Sequence, residues 1–168
     1  PRLSYLLGGP QLFIKRDDLT GLGLGGNKTR KLEYLAADAL AKGARTLIST
    51  GAVQSNHCRQ VAAAAAKLGL GCQLILAGEE PGKAQGNLLL NKLSGAQIFY
   101  TSKANRDHEL RECFAQAEQA GLKPYLIPYG GSNTIGALGY LNAMRELSAQ
   151  GLEPDWIVFA TSSGGTQA

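Results

Sequence analysis

Three stretches of this 168-residue chain hold residue types that can do chemistry, and each stands where a helix is expected to begin. "GGNKT" offers the amine of Lys28. "GAVQSNH" offers Gln54, Ser55, Asn56 and His57. "ATSSGGT" offers the hydroxyls of Ser162, Ser163 and Thr166 around Gly164 and Gly165. A lysine at a helix N-terminus meets the positive end of the helix dipole, which disfavours its ammonium form. A lysine of lowered pKa can attack a carbonyl and form a Schiff base; the plain alternative is a solvated lysine in a basic turn. A Ser/Gly turn leading into a helix can surround a dianion with backbone N–H groups and hydroxyls, or be an ordinary turn. Ser55 or Asn56 can cap a helix, or bond a cofactor and a substrate. His57 is either an acid–base group or one more helix residue facing solvent.

The glycines before Lys28 invite a nucleotide reading that fails on spacing. Gly21, Gly23 and Gly26 satisfy G-x-G-x-x-G, and Gly21 and Gly26 with Lys28 and Thr29 nearly spell a phosphate-binding P-loop. Asn27 is one residue too many, and it turns Lys28 by about 100° once a helix has begun. The dinucleotide fingerprint needs a strand running straight into it, but "KRDDLT" intervenes, and "STGAVQ" stands where an acidic residue is required. The glycine match is therefore weak, which leaves the loop either presenting Lys28 or forming a plain basic turn, and "ATSSGGT" is the better phosphate cradle.

Short β-prone runs alternate with longer helical patterns, which positions these turns. Strands are expected at Leu12–Ile14, Thr46–Thr50, Cys72–Ala77, Gln97–Tyr100, Tyr125–Pro128 and Trp156–Ala160. Helices are expected at Lys28–Lys42, closed by Gly43, and at Ser55–Leu68, stopped by Gly69. Three more follow at Asn87–Leu93, Arg106–Ala120 and Asn133–Ala149. That alternation predicts an α/β fold with parallel sheets and helices on both faces, and such sheets gather ligands at the carboxyl ends of their strands.

Composition narrows the class. Hydrophobic residues at 44% and charged ones at 18% are those of a globular protein. No apolar run approaches the ~18 residues a membrane helix needs, and "PRLSYLLGGP" lacks a signal-peptide layout. The net charge of +4 is scattered, without the interleaved aromatics of a nucleic-acid platform. Cys58, Cys72 and Cys113 have no metal spacing and form no even disulfide set, which fits a reducing cytoplasm. The chain starts at Pro1 and stops inside a glycine-rich turn, so a fragment is expected, inactive by itself.

Taken together, "IKRDDLTGLGLGGNKTRKLEYL", "TGAVQSNHCRQVAAAAAKLGL", "IPYGGSNTIGALGY" and "ATSSGGTQA" resemble the D-cysteine desulfhydrase and 1-aminocyclopropane-1-carboxylate deaminase family. These are pyridoxal-phosphate enzymes of the tryptophan synthase β-like fold, fold type II. The resemblance runs from the first residues to the last. It implies that Lys28 holds pyridoxal 5'-phosphate as a Schiff base and is a catalytic residue. It implies that Asn56 bonds the cofactor's ring hydroxyl, that Ser55 faces the substrate carboxylate as a second catalytic residue, and that Ser163, Gly164, Gly165 and Thr166 cradle the phosphate. His57 joins Ser55 and Asn56 as a substrate-binding residue.

The same resemblance implies a small domain over residues 33–150, set between pieces of a large one at 1–32 and 151–168. It implies β-elimination or deamination of a small amino acid, D-cysteine first because the deaminases tend to carry Gln where this chain has His57. 1-Aminocyclopropane-1-carboxylate and L-cysteate are the alternatives. The expected partners are that substrate and a second copy of the chain, with no nucleic acid and no membrane. A noncatalytic ligand-binding α/β domain is the competing class, and a nucleotide-dependent kinase or dehydrogenase is disfavoured by the misplaced lysine.

Overall fold

A computed structural model describes residues 2–167. The helices are α1 (Arg2–Leu7), α2 (Lys28–Ala41), α3 (Asn56–Leu68), α4 (Gly86–Leu93), α5 (Arg106–Gln119) and α6 (Thr134–Ala149). The strands are β1 (Thr46–Ala52), β2 (Gly71–Ala77), β3 (Gln97–Thr101) and β4 (Pro124–Leu126). They form one parallel sheet in the order β3-β2-β1-β4, with Thr46 opposite both Gly71 and Pro124, and Gln73 opposite Gln97. The expected α/β architecture is the observed one.

Alternation along the strands divides the core between the two faces of the sheet. Leu47, Leu74 and Leu76 point to the face covered by α2 and α3, where Leu32, Leu35, Val61, Ala62 and Ala65 are buried. Ile48 and Ile75 point to the opposite face and meet Ala117, Leu110, Cys113 and Phe114 of α5. The small side chains of α3 let it lie close to the sheet. Its ends are well marked: Ser55 Oγ accepts from Cys58 N (3.2 Å), and Gly69 ends it in the left-handed conformation at φ +68°.

The strand order fixes where a ligand belongs. The chain builds β1, β2 and β3 outward in one direction, then returns to place β4 on the other side of β1. The strand order thus reverses between β1 and β4, and the turn before α3 and the turn after β4 follow the carboxyl ends of these strands, where such sheets take their ligands.

α6 packs along α2 closely enough that a Cβ on Gly139 would fall inside van der Waals distance of Arg30 O. Gly139→Ala is expected to lower stability by about 1–3 kcal/mol through overpacking, read as a lower denaturant midpoint. An unchanged midpoint would contradict this approach of the two helices.

Two expected strands do not form. Leu12–Ile14 and Trp156–Ala160 have strand-like composition but pair with no other described segment, and a strand exists only as one member of a ladder. Phe13, Ile14, Trp156 and Val158 are 66%, 77%, 87% and 94% exposed, so no sheet covers them here. β4 stops at Leu126, two residues short of expectation, and α1 had no sequence signal.

Candidate active site

Lys28 is the first residue of α2, and the glycine turn before it is held from the side by α3. Gln60, fully buried, accepts from Lys28 N at 3.2 Å; of its two Nε2 hydrogens one goes to Thr29 Oγ1 and the other lies between Leu22 O and Gly26 O. Arg59 Nη2 donates to Gly25 O at 3.1 Å. Both side chains come from the first two turns of α3, so the helix that carries Ser55 and Asn56 at its start also fixes where Lys28 begins. Burial pushes the Lys28 amine below the ordinary lysine range, while a hydrogen bond with Lys31 pulls the other way.

Lys31, one turn on and on the same face of α2, has a fully buried side chain. Its Nζ donates to Gly130 O (3.2 Å) and Ser132 Oγ (3.1 Å). Burial, with the Lys28 charge beside it, pushes its pKa down to about 8. Among the described residues neither lysine has a carboxylate within ion-pair distance. Two amines, one half-buried and one buried, thus share a corner that no described carboxylate neutralises, an arrangement that favours an anion.

The residues facing that corner form a cradle. Ser132 Oγ and Ser163 Oγ are 2.6 Å apart, which joins the turn after β4 to the "SSGGT" turn. A Cβ on Gly165 would stand 2.7 Å from Lys31 Nζ and closer still to Ser132 Oγ, and one on Gly130 would stand 2.7 Å from Ser163 Oγ. Both glycines are required by close approach. Thr166 reaches the Tyr140 hydroxyl, which also lies 3.3 Å from Asn27 O. Gly164 is exposed at φ +75°.

Ser55 and Asn56 stand at the α3 N-terminus. Ser55 Oγ accepts from Cys58 N, which leaves its own hydroxyl hydrogen free to donate. Gly51 makes this turn possible, because a Cβ there would meet Ser55 Oγ at 2.7 Å and Cys58 Sγ at 2.8 Å.

His57 is only 4% exposed and faces inward rather than toward solvent. Ser49 Oγ donates to Ile127 O (2.8 Å), so the His57 Nε2 hydrogen is the one that fills the 2.9 Å contact to Ser49 Oγ. Nδ1 is buried without a partner. Burial first, then the charges of Lys28 and Lys31, push the His57 pKa down to about 3, so the ring is neutral. Its contacts brace β1 against the segment following β4, and neither Ser55 nor Asn56 is among its partners.

Lys28, Lys31, Ser132, Ser163 and Gly165 therefore come together, with Ser55 and Asn56 on the adjoining helix. Lys31, Ser132 and Gln60 carry no role in the sequence reading. Two of them had a local signal: Lys31 sits three residues after Lys28, and Gln60 four after Asn56. The donor set is two amines, serine hydroxyls and a glycine-lined turn, chemistry that fits a phosphorylated aldehyde. No group of metal-ligating side chains occurs among the described residues, and no helix is long and apolar enough to cross a membrane.

Comparison with known proteins agrees with that chemistry. The chain matches the model of a family described as "Pyridoxal-phosphate dependent enzyme" over residues 1–168. It is 49% identical over 177 residues to a D-cysteine desulfhydrase of Klebsiella pneumoniae (strain 342), covering 100% of this chain and 54% of that protein. It is 49% identical over 175 residues to a Pyrococcus abyssi (strain GE5 / Orsay) protein whose name, 1-aminocyclopropane-1-carboxylate deaminase, is itself provisional. That match covers 100% of this chain and 52% of that protein. Among solved structures, the crystal structure of an ACC deaminase homologue superposes with a TM-score of 0.86 at 44% identity. It covers 99% of this chain and 51% of that one. The chain spans about half the length of the curated relatives it matches.

Proposed function

The chain belongs to the family of pyridoxal-phosphate dependent enzymes, and from that membership we propose that its protein is a lyase acting on a small amino acid, D-cysteine first. The observation that carries this reading is the Lys28–Lys31 pair, half-buried and buried, without a carboxylate partner among the described residues, beside the Ser132–Ser163–Gly165 cradle. Lys28 is the residue that would carry the cofactor. Ser163, Gly164, Gly165 and Thr166, with Ser132 and Lys31, would hold its phosphate, and Asn56 would donate to its ring oxygen. When bound, pyridoxal phosphate supplies an electron sink for charge developing at the substrate Cα.

The chain's own groups do the rest. Burial lowers the Lys28 pKa, which eases loss of its ammonium proton and suits its Nζ to taking the α-proton. The Ser55 hydroxyl donates to the substrate carboxylate, and the α3 N-terminus adds its positive end to that contact. His57 does not touch substrate in this account. It stays neutral and holds Ser49, which in turn bonds Ile127 O just after β4. Loss of the α-proton and of thiolate from Cβ of D-cysteine yields pyruvate, ammonia and sulfide once water has entered.

The first 32 residues and those from 151 onward are proposed to belong to a large domain, with 33–150 as the small one. The sheet and the helices α3, α4 and α5, all within residues 33–150, support that division, while α2 starts at Lys28 and crosses its first boundary. Three free cysteines support a reducing cytoplasm, and the active form is proposed to be a homodimer. The relative named for the cyclopropane substrate is as similar as the desulfhydrase, so the assay spans both. Purified enzyme given D-cysteine, L-cysteate and 1-aminocyclopropane-1-carboxylate is expected to release sulfide and pyruvate from D-cysteine fastest. Dominant turnover of the cyclopropane with little sulfide would contradict the choice of substrate and leave the cofactor assignment standing.

A further inference from the structure

We propose that Asn87, near the start of α4, is a positioning residue that holds the Asn56 side-chain amide with its NH2 group outward, toward the cofactor's ring oxygen. The inference rests on the proposed role of Asn56 and adds the reason why its donor, not its acceptor, faces the site. Asn87 Nδ2 donates to Asn56 Oδ1 at 2.9 Å and to Gln54 O at 2.8 Å. Asn87 N donates to Gln54 Oε1 at 2.9 Å, and Gln54 Nε2 donates to Gln85 O at 3.1 Å. Gly86 is part of the same clamp: at φ +56°, a Cβ there would meet Gln54 Oε1 at 2.8 Å. On the other side, Arg59 Nη2 approaches Asn56 Oδ1 at 3.5 Å.

An amide oxygen has two lone pairs, and an amide nitrogen has only hydrogens to offer. Asn56 Oδ1 is thus met by two donors, one from Asn87 and one from Arg59. Rotating the amide by half a turn would put its NH2 against both, losing two hydrogen bonds and setting donor against donor. Asn56 is exposed beside Ser55, so the free side of the held amide presents hydrogens alone. A surface that only donates selects an acceptor, and an ionised ring oxygen is the acceptor such a cofactor brings. The network reaches across 31 to 33 residues of chain and ties the α4 start to the turn that presents Ser55 and Asn56.

The test is the pH titration of the bound cofactor's visible absorbance band in the holoenzyme. A donor to the ring oxygen stabilises its ionised form, so losing that donor raises the pH midpoint at which the band converts. Asn56→Ala is expected to raise the midpoint by about one pH unit, the scale of one hydrogen bond to a charged group. Asn87→Asp removes the donor to Asn56 and substitutes an acceptor, which turns the Asn56 amide inward; the midpoint is expected to rise by a similar amount. The double variant is expected to rise no further than Asn56→Ala alone. Asn87→Ala, which loses the donor without adding charge, should move the midpoint the same way, with melting temperatures checking that each variant is folded.

If Asn56→Ala shifts the midpoint and neither Asn87 variant does, the Asn87 inference is overturned and the role of Asn56 stands. Additive shifts in the double variant overturn it as well. If Asn56→Ala shifts nothing, the proposed contact of Asn56 with the cofactor falls, and this inference with it.

Discussion

Lys28→Ala is expected to reduce turnover of the best substrate by at least about 10³-fold at saturating pyridoxal phosphate. In the proposed reaction this amine both carries the cofactor and takes the α-proton, and groups that act as a unit in catalysis give losses of that order or more. Secondary structure should be unaffected, because the Lys28 backbone keeps its bond to Gln60 whatever its side chain. A kcat within tenfold of the parent would mean that another group does this work.

Lys31→Met is expected to weaken cofactor binding by about 10- to 100-fold, the scale of one charge-assisted bond to phosphate. The variant also changes the pH dependence. In the folded protein the Lys31 pKa stands near 8, against 10.5 for an ordinary lysine. Between those values the unfolded chain binds the extra proton, so this group's contribution to stability rises with pH from about 8 to 10.5. Below about 8 the cost of the buried charge is fully present. An anion that pairs with the ammonium reverses this: it binds best below pH 8 and more weakly above. Titration of the parent with inorganic phosphate, followed by the melting temperature, should show stabilisation fading above pH 8. The Lys31→Met protein should show little stabilisation at any pH, and an unchanged response would remove Lys31 from the phosphate site.

The fold was legible where local pattern and pairing agree. "TLIST" and "CQLILA" are aliphatic runs closed off by helices, and Gly43 and Gly69 end those helices as their sequence suggests. Leu12–Ile14 and Trp156–Ala160 carry the same propensity without a partner strand among the described residues, and propensity alone makes no ladder. The site was legible to the same degree. Lys28 and Ser55 are announced by their places at helix starts, a local property.

Lys31 was visible only as part of a basic cluster, because its character depends on burial against Gly130 and Ser132, about 100 residues away. Gln60 and Asn87 act across 31 or 32 residues through hydrogen bonds that no spacing rule encodes. His57 shows the converse. Its place beside Ser55 and Asn56 suggests the open side of the turn, yet the third position of the turn rotates it toward Ser49 and the interior.

The central claim is that Lys28 is the residue joined to pyridoxal phosphate. Borohydride reduction of the holoenzyme, followed by proteolysis and mass spectrometry, tests it directly. The pyridoxyl mass is expected on the peptide containing Lys28, with Lys31 on that same peptide unmodified by fragmentation. The label on Lys31, Lys15 or any other lysine would contradict the account.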